Sequence, residues 1–187
     1  MPRSKPISFN NVSNADINKF KAGLEKYDYI QKHIADNSDF RNVYASFYFV
    51  PKFIINEQNQ QLYFSKMFLN RPNDPIAFAD LLKEAESDKY YFSFATKAVH
   101  TFNPESPIYD SHVVAYLVEQ ENVPLKTAQC KNNFVYNWPL IKKWYREFEK
   151  DPRYKEWINW FDKQFPQYTW LTSTKKIDFI IYVLGVE

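Results

Sequence analysis

From Asn14 onward the chain places apolar residues at three- and four-residue steps: Ile17, Phe20, Leu24, Tyr27, Ile30 and Ile34. That spacing lays one apolar stripe along a helix of about six turns, with Asn14 as its N-cap. "DNSDF" then interrupts the pattern. The next stretch, "FRNVYASFYFV", is rich in β-branched and aromatic residues and suits a strand as well as a buried helix. We read it as a helix ended by Pro51, whose ring disfavours helical geometry in the residue before it. "NEQNQQLYFSKMFLN" predicts another helix with Leu62, Phe64, Met67 and Phe68 inward. "NDPIAFADLLKEAESD" carries a start signal, Asp74 as cap and Pro75 at the first helical position.

A short helix is predicted from about Tyr90 to Phe102, followed by the turn "NPESPIY". Asp110 or Ser111 then caps a helix running through Val118. "ENVPLKTAQCKNN" reads as a connector, and "FVYNWPLIKKWYREFEKD" as a helix with Pro139 early in its main run. Asp151–Pro152 repeats the Asp-Pro start and aligns Tyr154, Trp157, Ile158, Phe161 and Phe165 on one face. The last helix is capped by Ser173 or Thr174, buries Ile177, Ile180, Ile181 and Leu184, and stops at Gly185. About eight helices with short connectors predict an all-α fold. Residues 14–187 are expected to form a single globular multi-helix domain, preceded by a flexible N-terminal arm over residues 1–13.

Composition sharpens this picture in three places. Seventeen Phe, fourteen Tyr and five Trp imply a large, stiff core with some rings lining a groove. The two glycines, Gly23 and Gly185, are too few for a turn-rich β fold or a glycine-rich phosphate loop. One cysteine, Cys130, allows no internal disulfide and no Cys-based zinc site, and it fits a reducing cytoplasm. The N-terminus has no apolar signal-peptide core, and the longest apolar run, "FIIYVLGV", is too short for a bilayer. A cytoplasmic protein with no membrane partner is expected. The net charge of +2 does not by itself imply a polyanion partner.

Candidate chemistry concentrates in "FSFATKAVHTFNPESPIYDSHVVAYL". Lys97 lies beside the stripe of Phe94, Ala98 and Phe102 and has two readings. It either reaches solvent, as most lysines do, or is held against apolar walls, where a lowered pKa makes its amine a nucleophile. Asp110 caps the next helix, and a carboxylate fixed there also has the charge and rigidity to steady a developing cation. His100 and His112 lack a third ligand, so no metal site is expected, and each reads as a hydrogen-bonding group at the core edge. No cofactor is implied. The pairs Lys142–Lys143 and Lys175–Lys176 read most simply as solvated helix faces. Alternatively, if both border one groove, they would neutralise phosphates while Trp144, Tyr168 or Trp170 stacks on a base.

The segments "SFATKAVHTFNPESPIYDSHVVAYL", "WFDKQFP" and "TKKIDFIIYVLG" resemble a family of uncharacterised bacterial proteins. That family carries S-F-x-S/T-K, N-P-x-x-P-I-Y/W-D-S and K-K-I-D-F signatures. The central block is also similar to the helix-hairpin-helix DNA glycosylases of the 8-oxoguanine type. The second resemblance implies an all-helical scaffold, with Lys97 as the amine nucleophile and Asp110 as the catalytic aspartate. It implies N-glycosidic cleavage of a flipped nucleotide in DNA. Two features differ from that family: the stretch before the lysine, "DKYYFSF", has no glycine, and the Lys97-to-Asp110 segment is shorter. The rival expectation is a non-enzymatic helical module that holds a protein partner on an aromatic-rich surface.

Overall fold

The computed structural model describes residues 4–48, 57–83, 90–126 and 130–185. Among the described residues the chain forms nine α-helices, one short 3-10 helix and no strand, the all-α architecture that the apolar spacing predicts. The helices are α1 (Asn14–Lys32), α2 (Ser38–Phe47), α3 (Glu57–Asn70), α4 (Pro75–Lys83) and α5 (Phe92–Phe102). They continue with α6 (Ser111–Glu119), α7 (Lys131–Phe148), α8 (Pro152–Gln164) and α9 (Ser173–Leu184), the 3-10 turn Pro166–Tyr168 lying between the last two. The chain divides into two compact units, residues 21–103 and residues 1–20 with 104–187, the partition falling within α1.

Helix starts follow local side-chain chemistry. Asp74 Oδ1 accepts the Ile76 N–H at 2.8 Å, and Asp151 Oδ1 accepts that of Arg153 at 2.8 Å, as the two Asp-Pro pairs predict. Two caps fall one residue earlier than predicted. Ser13, not Asn14, caps α1: its Oγ accepts the Asp16 N–H at 3.2 Å while Asp16 Oδ2 accepts the Ser13 N–H at 3.1 Å. This is a reciprocal capping box with aspartate as the returning acid. Thr172, not Ser173 or Thr174, caps α9 by accepting the Lys175 N–H at 3.2 Å. The segment from Phe40 is helical through Phe47, and Pro51, expected to end it, lies outside the described residues. Helix α7 begins at Lys131 and carries Pro139 inside it, where the missing N–H leaves one turn without its usual bond.

In the unit of residues 21–103, Leu24, Tyr27 and Ile30 of α1 are buried, as are Phe40 and Tyr44 of α2 and Tyr63, Phe64 and Met67 of α3. Ile34 is not part of that core; it lies past the end of α1 and is 37% exposed. Leu62 and Phe68, predicted inward, are half-buried, and the ring of Tyr63 takes the inner position instead. Helix α4 packs on α5. Two buried hydroxyls find partners within the unit: Tyr44 and Tyr63 share a 2.8 Å bond, and Tyr63 also donates to the Phe94 carbonyl at 3.0 Å.

In the other unit α9 packs against α6 and α8. Ten of its twelve residues are buried, the polar side chains of Thr174, Lys175, Lys176 and Asp178 among them. Gly185 ends α9 through close packing: a Cβ there would meet the Ile181 carbonyl oxygen at 2.7 Å and Tyr116 Cδ2 at 3.0 Å. The N-terminal segment lies against this unit. Ser4 donates its N–H and its hydroxyl to Glu119 Oε2, Lys5 N–H donates to the Gly185 carbonyl at 3.0 Å, and Phe9 stacks on Trp160 at 4.5 Å. Asn137, fully buried, ties the connector to α7 by accepting the Lys126 N–H at 2.8 Å and donating to its carbonyl at 2.7 Å.

Candidate functional site

Lys97 and Asp110 fall in different units. Lys97 belongs to α5, a short helix of eleven residues of which nine are buried. The ammonium of Lys97 lies 5.7 Å from the ring centroid of Tyr48 and 5.6 Å from that of Phe94. It donates a long bond of 3.4 Å to the Tyr48 carbonyl, and the residue is 9% exposed. This is a lysine held against aromatic walls, not a solvated one. One turn on, Thr101 Oγ1 donates to the Lys97 carbonyl at 2.8 Å. His100 is fully buried and bonded to the Tyr27 hydroxyl at 2.9 Å, a core group as its sequence context suggests.

Asp110 is the N-cap of α6. Its Oδ1 accepts the N–H groups of His112 and Val113, each at 3.0 Å, which fixes the carboxylate at the positive end of the helix. Around it the unit gathers a polar cluster from three helices. Tyr145 of α7 donates a short hydrogen bond to Asp178 Oδ1 of α9. Lys175 and Asp178 stand one turn apart on α9, at 4% and 5% exposure. Tyr182, one turn further, packs its ring on His112 at 4.6 Å. Asp178 Oδ2 and His112 Nδ1 are both buried with no hydrogen-bond partner among the described residues.

Electrostatics couple these groups. Burial pushes the Asp178 carboxyl up to about 7; the Lys175 charge and the Tyr145 hydrogen bond pull against that rise, and the Asp110 charge adds to it. Tyr145 is raised well above its ordinary value by burial and then by Asp178. Tyr182 is raised by burial and by Asp110. The segments holding the N-P-x-x-P-I-Y-D-S and K-K-I-D-F residues thus meet in one place, and Thr172 Oγ1 reinforces the meeting by donating to the Pro104 carbonyl at 2.9 Å.

The lysines expected to contact phosphate divide. Lys142 and Lys143 are both exposed on α7, the latter 3.7 Å from Glu147. Lys175 and Lys176 are buried and are no solvated face: Lys175 lies 4.9 Å from the Phe179 ring centroid, and Lys176 pairs with Asp162 at 2.7 Å and donates to the Thr169 carbonyl at 3.0 Å. One exposed groove lined by both pairs is therefore not present. Trp144 stacks on Phe148 at 4.8 Å, and its Nε1–H reaches Glu121 at 3.4 Å, so one ring face is already covered. Sequence reading misses Tyr145, Asp178 and Tyr182. The signal for Asp178 is an acid inside an apolar helix face, next to the buried positions Ile177 and Ile180.

Among the described residues, no group of three or more His, Cys, Asp or Glu side chains could hold a metal ion, and no helix is long and apolar enough to cross a membrane. No family model, no curated protein and no solved structure matches the chain.

Proposed function

We propose that the protein acts on nucleic acid as a diverged DNA glycosylase/lyase in which the Lys97 amine is the nucleophile. The observation that carries this reading is the placement of Lys97 between two aromatic faces at 9% exposure. A lysine so placed is shielded from bulk water and held in one position by the rings around it, so its amine is the group assigned to attack the sugar carbon. In the reaction the amine lone pair forms a C–N bond to the sugar carbon as the base leaves with the glycosidic electron pair. Loss of an amine proton and opening of the sugar ring then give an imine. Lys142 and Lys143 of α7 are assigned to phosphate.

Borohydride reduction in the presence of DNA holding an abasic site or a damaged base tests the reading. The expected result is a covalent protein–DNA adduct that disappears in Lys97→Ala, with helix content unchanged. An adduct that persists in Lys97→Ala, or none with any lesion, overturns it. In the second case the rival reading stands, a helical module for a protein partner. It is favoured by Val135 and Tyr136, each 43% exposed on α7, and by Leu69, 86% exposed on α3.

A further inference from the structure

Helix α7 carries four basic residues, Lys131, Lys142, Lys143 and Arg146, against one acid, Glu147, and all five are exposed. Over the whole chain the two signs nearly balance, 24 to 22, so this helix concentrates positive charge. Tyr136, Pro139, Lys143 and Arg146 follow one another at steps of three and four, which places them on one exposed stripe. Glu147 does little to cancel the charge: it is 3.7 Å from Lys143 with side chains 61% and 62% exposed, and a pair so open to water holds weakly.

The stripe begins at an aromatic ring joined to a cation. Tyr136 is 43% exposed, and the Lys126 ammonium lies 4.3 Å from its ring centroid. Lys126 precedes α7 in the chain, and buried Asn137, next to Tyr136, holds its backbone through both the N–H and the carbonyl. A fixed backbone therefore presents ring and ammonium together. We propose that this stripe binds single-stranded DNA, with a base stacked on Tyr136, its phosphate against Lys126 and the following backbone along Lys143 and Arg146. The proposal rests on the reading that the protein meets DNA and is independent of which amine performs chemistry. The concentrated positive charge fits a polyanion. The ring set among cations selects the single strand: bases in a duplex are stacked on one another, whereas an unpaired base offers its π-face to any ring. From Tyr136 to Arg146 the helix rises ~15 Å, enough for a backbone to pass both cations. These contacts read no base edge, so binding is sequence-tolerant and salt-dependent.

Fluorescence anisotropy of the full chain tests this, with a labelled, lesion-free oligothymidine strand, alone and annealed to its complement, at several salt concentrations. The single strand is expected to bind more tightly than the duplex. Tyr136→Ala weakens single-strand binding about tenfold without changing the salt slope, and Tyr136→Phe, which keeps the ring, retains it. Arg146→Ala lowers the slope by about 0.7, one phosphate contact on a single strand. Both side chains are exposed, so the variants keep their helix content, which circular dichroism checks. Single-strand binding indifferent to Tyr136→Ala overturns the proposal, as does preference for the duplex. Binding of neither form also overturns it and leaves the face to a protein partner. A Lys97-dependent adduct in the trapping experiment, with single-strand binding indifferent to Tyr136, sinks this proposal alone. Tyr136-dependent binding with no adduct from any lesion sinks the lyase reading alone.

Discussion

At Asp178 the folded and unfolded chains bind a proton with different strength, and the sign of that difference is measurable. Burial raises the carboxyl from 3.8 to about 7. Below the unfolded value both states are protonated and nothing is gained or lost. As pH climbs from about 4 to about 7 the unfolded chain releases its proton while the fold retains it, so stability falls over that window. Asp178→Asn removes this slope, and chemical denaturation at several pH values should show it gaining on the wild type by on the order of 2–4 kcal/mol above neutrality. Other acids act in the opposite sense. Burial pushes Glu121 up, but Arg153 overcomes this and leaves it low; Asp151 is held low by its hydrogen bond to Arg153. Their contribution is present in both proteins and cancels in the comparison. The role of Asp178 is not legible in the sequence, because its burial, its tyrosine donor and its acidic neighbour come from segments distant in the chain.

Among the elements, α6 separates two roles that the sequence superimposes on Asp110. As an N-cap the residue needs only an oxygen to accept from His112 and Val113; as an electrostatic group it needs its charge. Asparagine caps a helix about as well as aspartate, whereas loss of the cap costs about 1 kcal/mol. Asp110→Ala should therefore lower thermal stability and Asp110→Asn should leave it nearly unchanged, while both abolish any reaction that requires the carboxylate. Equal losses of stability in the two variants would show that charge, not capping, holds this end of α6. Helix starts at Asp74 and Asp151 are readable because cap and proline are adjacent in the chain. At Ser13 and Thr172 the expected cap falls one residue late, since neighbouring residues in each run are competent caps and only the backbone turn chooses between them.

For the whole molecule, the modest charge of +2 is distributed unevenly between surface and interior. Lys175 and Lys176 are buried and Lys142 and Lys143 are exposed, so of the two pairs the proposed contact with DNA phosphates belongs to the one on α7. Replacing Lys142 and Lys143 by alanine should weaken binding to DNA uniformly across sequences and reduce the salt slope by about one for each phosphate no longer neutralised. Lys176→Met should instead reduce stability, because it strands Asp162 without its partner, and should leave the salt slope intact. Binding assays at several salt concentrations, paired with thermal melts, distinguish the two. An unchanged slope in the double variant places the nucleic-acid face elsewhere or removes it.

The all-helical architecture was determined by the chain's own order of residues: apolar spacing of three and four, Asp-Pro starts and a glycine stop are local features, each acting within a few residues. Even the ambiguous aromatic segment from Phe40 is helical as far as Phe47. What only the tertiary structure decided is which charges are hidden. Lysines that look alike in sequence become a more open pair on α7 and a buried pair on α9, because desolvation depends on what packs over a side chain. The same holds for the meeting of Asp110, Tyr145 and Asp178, since electrostatic coupling follows distance in space and is blind to separation along the chain.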